Sequence, residues 1–287
     1  MPRGKSPTAL AQLARRAKTT VLMAVFNEAP FVARAIDSVL RQTELSFRLI
    51  IVDDGSADRT RRIARTYLKD PRVRLLCQKH RGTGAALRKA LRCVETPYAM
   101  RLDGDDELFP NALAVLQKTI ERQPPKVGLC YANHVVVHNQ TGKRMVRRGH
   151  AIRNKYDVLR FVGPMAPRIY SVSALRAVGG WSCDDPCRGR FMEDRLLEIK
   201  LCHRFSFHWI DRALYLRRFH GENQSAIAGR EYTRLRKWAI RKALKDWDAP
   251  CTAHFRNGSS GLQMEFRPKK NASRRHAIVA SISSMRW

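Results

Sequence analysis

Tyr98-Ala99-Met100-Arg101-Leu102-Asp103-Gly104-Asp105-Asp106 is the stretch on which the reading of the chain turns. Its apolar front half has the length of a short buried strand. Three carboxylates then follow within four residues. Carboxylates this close repel one another and are costly to bury, so a positive group is expected among them. A divalent metal carrying phosphate oxygens would supply it. A solvated acidic turn is the plainer alternative.

The flanking sequence separates the two. Thr20–Phe26 reads as a buried strand, and Pro30 suits a first helical turn ahead of Phe31, Ala35 and Val39. Phe47–Val52 is a second strand running into Asp53-Asp54-Gly55-Ser56, and Asp58 can cap a helix that ends before Asp70-Pro71. Val73–Cys77 is a third strand, Gly82-Thr83-Gly84 opens a helix through Val94, and Tyr98–Leu102 is the fourth strand. A helix from Pro110 and a strand over Val127–Val137 follow. Strands alternating with helices at this spacing specify an α/β fold with a parallel-type sheet. In such sheets ligands bind beyond the carboxyl ends of the strands. Asn27-Glu28, Asp53-Asp54 and Asp103–Asp106 all sit at such ends. Three strand ends carrying polar clusters favour a site over an idle turn.

The chain has 287 residues, 55 Lys and Arg against 25 Asp and Glu, and a formal net charge of +30. That field attracts polyanions: nucleic acid, anionic membrane, acidic glycans or nucleotides. Seven cysteines without a signal peptide suggest a reducing compartment. Cys183, Cys187, Cys202 and His203 match no standard zinc spacing. Val21–Phe26 is too short for a secretory apolar region, and no window reaches membrane-spanning length. A cytoplasmic protein is expected, at most peripheral to the inner membrane.

Several chemistries are excluded. Gly82-Thr83-Gly84 lacks the Gly-Lys-Ser/Thr of a P-loop and does not complete a dinucleotide fingerprint. There is no G-x-S-x-G elbow and no H-E-x-x-H. The acids instead suit a nucleotide diphosphate: Asp103 and Asp105 to bridge ligand hydroxyls and a magnesium or manganese ion, Asp53 or Asp54 to accept from base N–H or ribose hydroxyls.

Five segments in order then carry a resemblance. Val21-Leu22-Met23-Ala24-Val25-Phe26-Asn27-Glu28, Ile51-Val52-Asp53-Asp54-Gly55-Ser56-Ala57-Asp58-Arg59-Thr60, Leu102-Asp103-Gly104-Asp105-Asp106, Glu193-Asp194-Arg195-Leu196-Leu197 and Arg218-Phe219-His220-Gly221-Glu222-Asn223-Gln224-Ser225 resemble the motifs of the inverting glycosyltransferase family two. The likeness covers roughly Thr19–Ser225. It implies a GT-A fold, a mixed, mostly parallel sheet flanked by helices, with a nucleotide-sugar donor (usually a uridine diphosphate sugar) and Mn2+ or Mg2+. It implies that Asp53 or Asp54 holds base and ribose, with Asn27, Glu28 and Gly82 around the donor. Asp103 would contact ribose or metal, Asp105 would be the main metal ligand, and Arg218 and His220 would lie near diphosphate or metal. Asp194 would be the catalytic base with Glu193 beside it. The family's usual Asn after the helix glycine is replaced by Leu87-Arg88-Lys89, so Arg88 or Lys89 faces the diphosphate or solvent.

The expected organisation is a flexible basic arm over 1–18, or a loose helix there, and a nucleotide-sugar-binding half over 19–138. An acceptor-binding, catalytic half over 139–230, a basic helix over 231–248 and a poorly ordered basic tail over 249–287 complete it. The expected function is transfer of a hexosyl or N-acetylhexosaminyl group to a hydroxyl of a glycan or lipid-linked acceptor in cell-surface polysaccharide synthesis. An anionic membrane is a further expected partner; a specific nucleic acid is not. The alternative is a catalytically retired scaffold that binds nucleic acid or anionic membrane, and the intact acids argue against it.

Overall fold

Side-by-side register of the first strands sets the geometry. The computed structural model describes residues 6–161, 163–221, 229–258 and 261–269. β1 (Thr19–Val25) pairs in parallel with β2 (Phe47–Asp53), placing Val25 beside Asp53, and β2 pairs in parallel with β3 (Val73–Cys77), placing Asp53 beside Cys77. On its other side β1 pairs in parallel with β4 (Tyr98–Arg101), placing Leu22 beside Arg101. Residues 103–106 therefore continue level with the end of β1. The three polar clusters share one edge, as the sequence implied.

The sheet extends through β8 (Arg168–Ser171), β6 (Val127–His138), β9 (Ser206–Phe219) and β5 (Glu107–Leu108), in the order β3-β2-β1-β4-β8-β6-β9-β5, with β7 (Arg144–Arg147) on β6. β8 runs antiparallel to β4 and β6, whereas β6 and β9 are parallel. The sheet is mixed, and its parallel core is the half that carries the acids.

Helices cover both faces. α2 (Val32–Leu40), α3 (Thr60–Arg65) and α5 (Ala112–Glu121) pack on one face, and Val32, Ala35, Ile36, Val39 and Leu40 form the buried stripe of α2 at helical spacing. Each fully buried aliphatic side chain of that kind contributes about 1.5–3 kcal/mol. α4 (Thr83–Arg92), α6 (Lys155–Arg160), α7 (Val172–Ala177), α8 (Glu193–Cys202) and α9 (Gly229–Asp246) build the other core, around Trp181.

At the N-terminal end the helical alternative holds, whereas the C-terminal end differs from expectation. Pro7–Arg15 is a helix, α1, capped by Ser6, whose Oγ accepts from the Ala9 amide at 3.2 Å; Leu10 and Ala14 are buried. At the other end the expected tail holds a hairpin, β10 (Cys251–Gly258) on β11 (Gly261–Pro268). Cys251 and Phe266 are buried in the α9 core, with Ala253, Phe255 and Met264 packed against it. Alternating apolar residues make this a strand pair despite a Ser-, Asn- and Gly-rich composition. The remainder of the tail, residues 270–287, and residues 1–5 lie outside the described residues. All seven cysteines are free thiols.

Candidate active site

The motif around Asp53 and the Asn27-Glu28 turn are knitted together. Asn27 sits at φ 54°, its amide donating to Ser56 Oγ at 3.0 Å while its Oδ1 accepts from the Ala57 amide at 2.8 Å. The Glu28 amide donates to Thr60 Oγ1 at 2.7 Å, and the Ala29 amide to Asp58 Oδ2 at 3.0 Å. Asp58 Oδ1 accepts from the Thr60 amide at 2.8 Å. Asn27, Ser56, Asp58 and Thr60 thus fix the turn that carries Glu28. Burial alone would raise the Asp58 pKa, but the hydrogen bonds from Thr60 and Ala29 hold it below its ordinary value.

Asp54 is also committed. Its carboxylate accepts from Gln78 Nε2 (2.7 Å) and from the amides of Arg81 (2.9 Å) and Gly82 (2.8 Å), with His80 Nδ1 3.0 Å away. It fastens the 78–82 loop over the strand edge. Gly55 (φ 81°) is required there, since a Cβ would stand 2.8 Å from the His80 nitrogen. The fastened loop stacks the His80 ring on Phe26, with centroids 4.0 Å apart. Phe26 is 39% exposed at the end of a buried strand. Asp53 is buried at the end of β2, beside Val25, its Oδ1 accepting a long bond from the Ser56 amide.

The Asp103–Asp106 cluster lies next to it. Asp106 is buried, accepting from the Tyr215 hydroxyl at 2.7 Å and the Arg218 amide at 2.8 Å. Burial, then Asp105 and Asp103, push its pKa well above the ordinary carboxylate range. Asp105 Oδ2 is 3.1 Å from His220 Nε2, and the His220 ring stacks on Phe31 at 4.5 Å. Burial and Asp103 raise the Asp105 pKa, with His220 opposing. Glu28 points in from β1. Its buried Oε2 has no hydrogen-bond partner, and its pKa is raised well above the ordinary value by burial and then by Asp105 and Asp103. Gly104 leaves room for it: a Cβ there would fall 1.8 Å from that oxygen.

These donors suit a hard divalent cation. The unpartnered Glu28 oxygen and mutually repelling acids mark a place where positive charge is wanted. No group of three or more metal-ligating side chains is assembled among the described residues. Asp105 and His220 offer two adjacent points, leaving the other positions to phosphate oxygens and water.

A second charged centre faces the first across Arg101. This arginine is 7% exposed. Its guanidinium meets Asp103 Oδ1 (2.7 Å), Glu193 Oε1 (2.7 Å) and Asp194 Oδ1. Arg168 holds the other Asp194 oxygen at 2.6 Å and Glu198 Oε1 at 3.2 Å, and Arg195 takes Glu198 Oε2 at 3.1 Å. Burial works against charge on Arg101, but the Asp103 and Glu193 carboxylates outweigh it and raise its pKa. Burial likewise opposes the Asp103 charge, yet Arg101, Arg168 and Arg217 hold its pKa below the ordinary value. Glu193 and Asp194 open α8, where its N-terminal dipole adds to their stabilisation.

Asn27, Glu28, Asp53, Asp54, Gly82, Asp103, Asp105, His220, Glu193 and Asp194 therefore gather along one edge of the sheet. Arg218 lies beside the acidic cluster, its amide donating to Asp106 Oδ1 at 2.8 Å while its guanidinium pairs with Glu107 and, at 3.2 Å, with Asn139. Arg88 lies mid-helix in α4, within electrostatic reach of Lys200. Glu222, Asn223, Gln224 and Ser225 fall outside the described residues. Sequence reasoning missed Phe26 with His80, and Arg101 with Arg168. An apolar residue directly before Asn27 and an arginine inside an apolar strand were the available signals.

Comparisons with known proteins agree with this geometry. A family model described as glycosyl transferase family 2 matches residues 20–178. Chondroitin synthase of Escherichia coli is 28% identical over 233 residues, covering 78% of this chain and 32% of that protein. The uncharacterised glycosyltransferase EpsJ of Bacillus subtilis is 35% identical over 88 residues, covering 30% of this chain and 26% of its own. The chain thus spans about a third or less of these relatives. Among solved structures, S. aureus TarS 1–349 with UDP-GlcNAc is similar at TM-score 0.62 and 15% identity, over 80% of this chain and 66% of that one. The mannosyltransferase PcManGT of Pyrobaculum calidifontis, with GDP-Man and Mn2+, is similar at 0.58 and 18% identity, over 84% and 72%. These two likenesses establish the fold.

Proposed function

The chain belongs to glycosyl transferase family 2, and we propose that it moves a sugar, with inversion, from a nucleoside diphosphate sugar to a hydroxyl of a glycan or lipid-linked acceptor. A uridine diphosphate sugar is the first donor to test. One observation carries the reading. Arg101 joins Asp103, on the donor side, to Glu193 and Asp194 at the start of α8. A leaving group and a proton acceptor are thereby held in one frame.

In this reading the exposed Phe26–His80 pair receives the base, with Asp53 at the end of β2 for the nucleoside. Asp54, Gly55 and Gly82 keep the loop in place. Asp105 and His220, with Asp103 beside them, would hold Mn2+ or Mg2+, which when bound neutralises charge on the departing diphosphate. Asp194 accepts the proton of the acceptor hydroxyl as its oxygen bonds to the anomeric carbon. The bond from that carbon to the diphosphate breaks on the opposite face, so one displacement inverts the centre. Asp194 Oδ2, held by Arg168 at 2.6 Å, keeps a further lone pair for the hydroxyl. No second carboxyl is needed as acid.

The test is turnover of a panel of UDP- and GDP-sugars with manganese or magnesium. Asp105→Ala and Asp194→Ala should each abolish transfer; full activity in both would remove the site assignment. The retired-scaffold reading is favoured by the arginines on both oxygens of Asp194. It would show no turnover of any donor and steeply salt-dependent binding to DNA.

A further inference from the structure

A second concavity lies behind the segment that precedes Glu193. It has a volume of about 660 Å³ and runs along α9, walled on one side by Pro186 and Cys187. Five cations and one acid, Asp246, line it. Arg234, Lys237, Arg241 and Lys245 recur at helical spacing, so they span roughly 16 Å of one helix face. Trp238, half-buried, joins them in the lining. From this row of charge beside an indole we propose that the groove binds an acidic glycan, a sugar chain bearing carboxylates or phosphates, as the extended acceptor. The proposal rests on the transferase reading above and names its substrate class.

The placement fits an acceptor track. Pro186 and Cys187 belong to a loop whose far side touches the donor region: the Gly84 amide donates to the Gly189 carbonyl at 3.0 Å, and Gly82 lies against Arg190. The same loop is pinned internally by Asp185, which accepts from the amides of Cys187 (2.8 Å) and Gly189 (2.7 Å), and it leads directly to Glu193-Asp194. A chain lying in the groove follows a wall whose other face meets Gly82 and Gly84 at the start of α4.

A membrane surface fits less well. An interfacial helix inserts an apolar face into lipid. The apolar face of α9, Leu235, Ala239, Ile240, Ala243 and Leu244, is already buried in the protein core. Lys237 and Arg241 lie over the Phe255 ring at 5.8 and 5.3 Å, which fixes their stems along the concavity. A flat indole offers the apolar faces of sugar rings a surface, and cations at one-turn spacing suit a repeating anion.

The experiment measures binding of a fluorescent oligogalacturonide to the full chain, beside neutral dextran of equal length, phosphatidylglycerol vesicles and single-stranded DNA. UDP and GDP binding are titrated separately. The oligogalacturonide should bind with strong salt dependence and far more tightly than dextran. Lys237→Glu with Arg241→Glu should weaken it by about tenfold or more and leave UDP binding unchanged. Trp238→Ala should weaken it while sparing DNA. Arg61→Glu with Arg65→Glu, exposed on α3, controls for the overall charge and should have little effect. Equal losses from the α3 and α9 pairs, or binding no tighter than dextran, would overturn the proposal. So would an α9 effect confined to vesicles or DNA. Absent binding of both UDP and GDP in the wild type would instead sink the transferase reading, leaving the glycan result to stand or fall separately.

Discussion

Arg101→Met tests the frame that joins the two halves of the site. The guanidinium contacts three carboxylates from three positions in sequence, and Arg101 and Glu193 are 7% and 5% exposed. Removing it leaves Asp103 and Glu193 facing each other without their shared cation, while Asp194 retains Arg168. Breaking a buried ion pair costs about 3–5 kcal/mol, because the stranded charge keeps its desolvation penalty. That is the expected loss in unfolding free energy from urea denaturation, with the slope unchanged. Arg101→Lys restores a point charge but not the fork, and should recover less than half of it. Turnover should fall by about a hundredfold, the scale on which misplacing a held group acts, and the donor KM should rise as well. Arg168→Met, acting on Asp194 and Glu198, should lower kcat with little change in donor KM. Stability of Arg101→Met within about 1 kcal/mol of wild type would refute the cluster as a buried network. Normal stability-corrected turnover would refute its role in joining donor to base.

Phe26→Ala should raise the KM for the donor several-fold with a smaller change in kcat, because stacking on the base is uniform binding; steady-state kinetics separate the two. Arg72 is fully buried, pairs with both oxygens of Asp70 (3.0 and 2.7 Å) and lies over Phe47; Arg72→Met should cost about 3–5 kcal/mol in denaturant, and Asp70→Asn added to it should recover part of the loss. Burial, with Arg217 second, pushes the His134 pKa down from its ordinary value to about 4. The unfolded chain then binds the proton first, so stability present above pH ~6.5 should drain away as pH falls towards ~4, by as much as about 3 kcal/mol. His134→Gln should flatten that slope in pH-dependent melts.

The parallel half of the fold was legible because each strand there is a short apolar run ending in residues of the opposite character. Val25 gives way to Asn27 and Val52 to Asp53, so strand, edge and site are announced together. Arg101 was harder to see. Within Tyr98–Leu102 it reads as an outward residue of an alternating strand, and only β8 laid antiparallel on β4 brings Arg168 opposite it. Long-range pairing of that kind leaves no local signature. Asp54 and Arg218 belonged to legible motifs whose carboxylate and guanidinium are occupied by loop 78–82 and Glu107, which neighbouring sequence does not reveal. The hairpin over residues 251–268 was concealed by composition, although Phe255, Met264 and Phe266 alternate with polar residues as a half-buried ribbon requires.

The opening stretch proves to hold two electrostatic environments separated by one glycine. Asp103 sits with Arg101, Arg168 and Arg217, and those cations overcome burial and lower its pKa. Asp105 and Asp106, two and three residues on, lie with Glu28, and burial and mutual repulsion raise all three. Arg101, Arg168 and Arg217 thus dominate the Asp103 side of Gly104, whereas burial and mutual repulsion of carboxylates dominate the Glu28–Asp105 side. On the proposed reading this asymmetry divides the work. The arginine side holds Asp194 towards an acceptor, while the mutually repelling acids of the Glu28–Asp105 side receive the incoming cation and diphosphate. The division can be measured. Mn2+ should bind more tightly as pH rises and the Glu28–Asp105 group loses protons, and Glu28→Gln should reduce that pH dependence. If affinity is independent of pH in both proteins, the acids do not form the cation's side of the site.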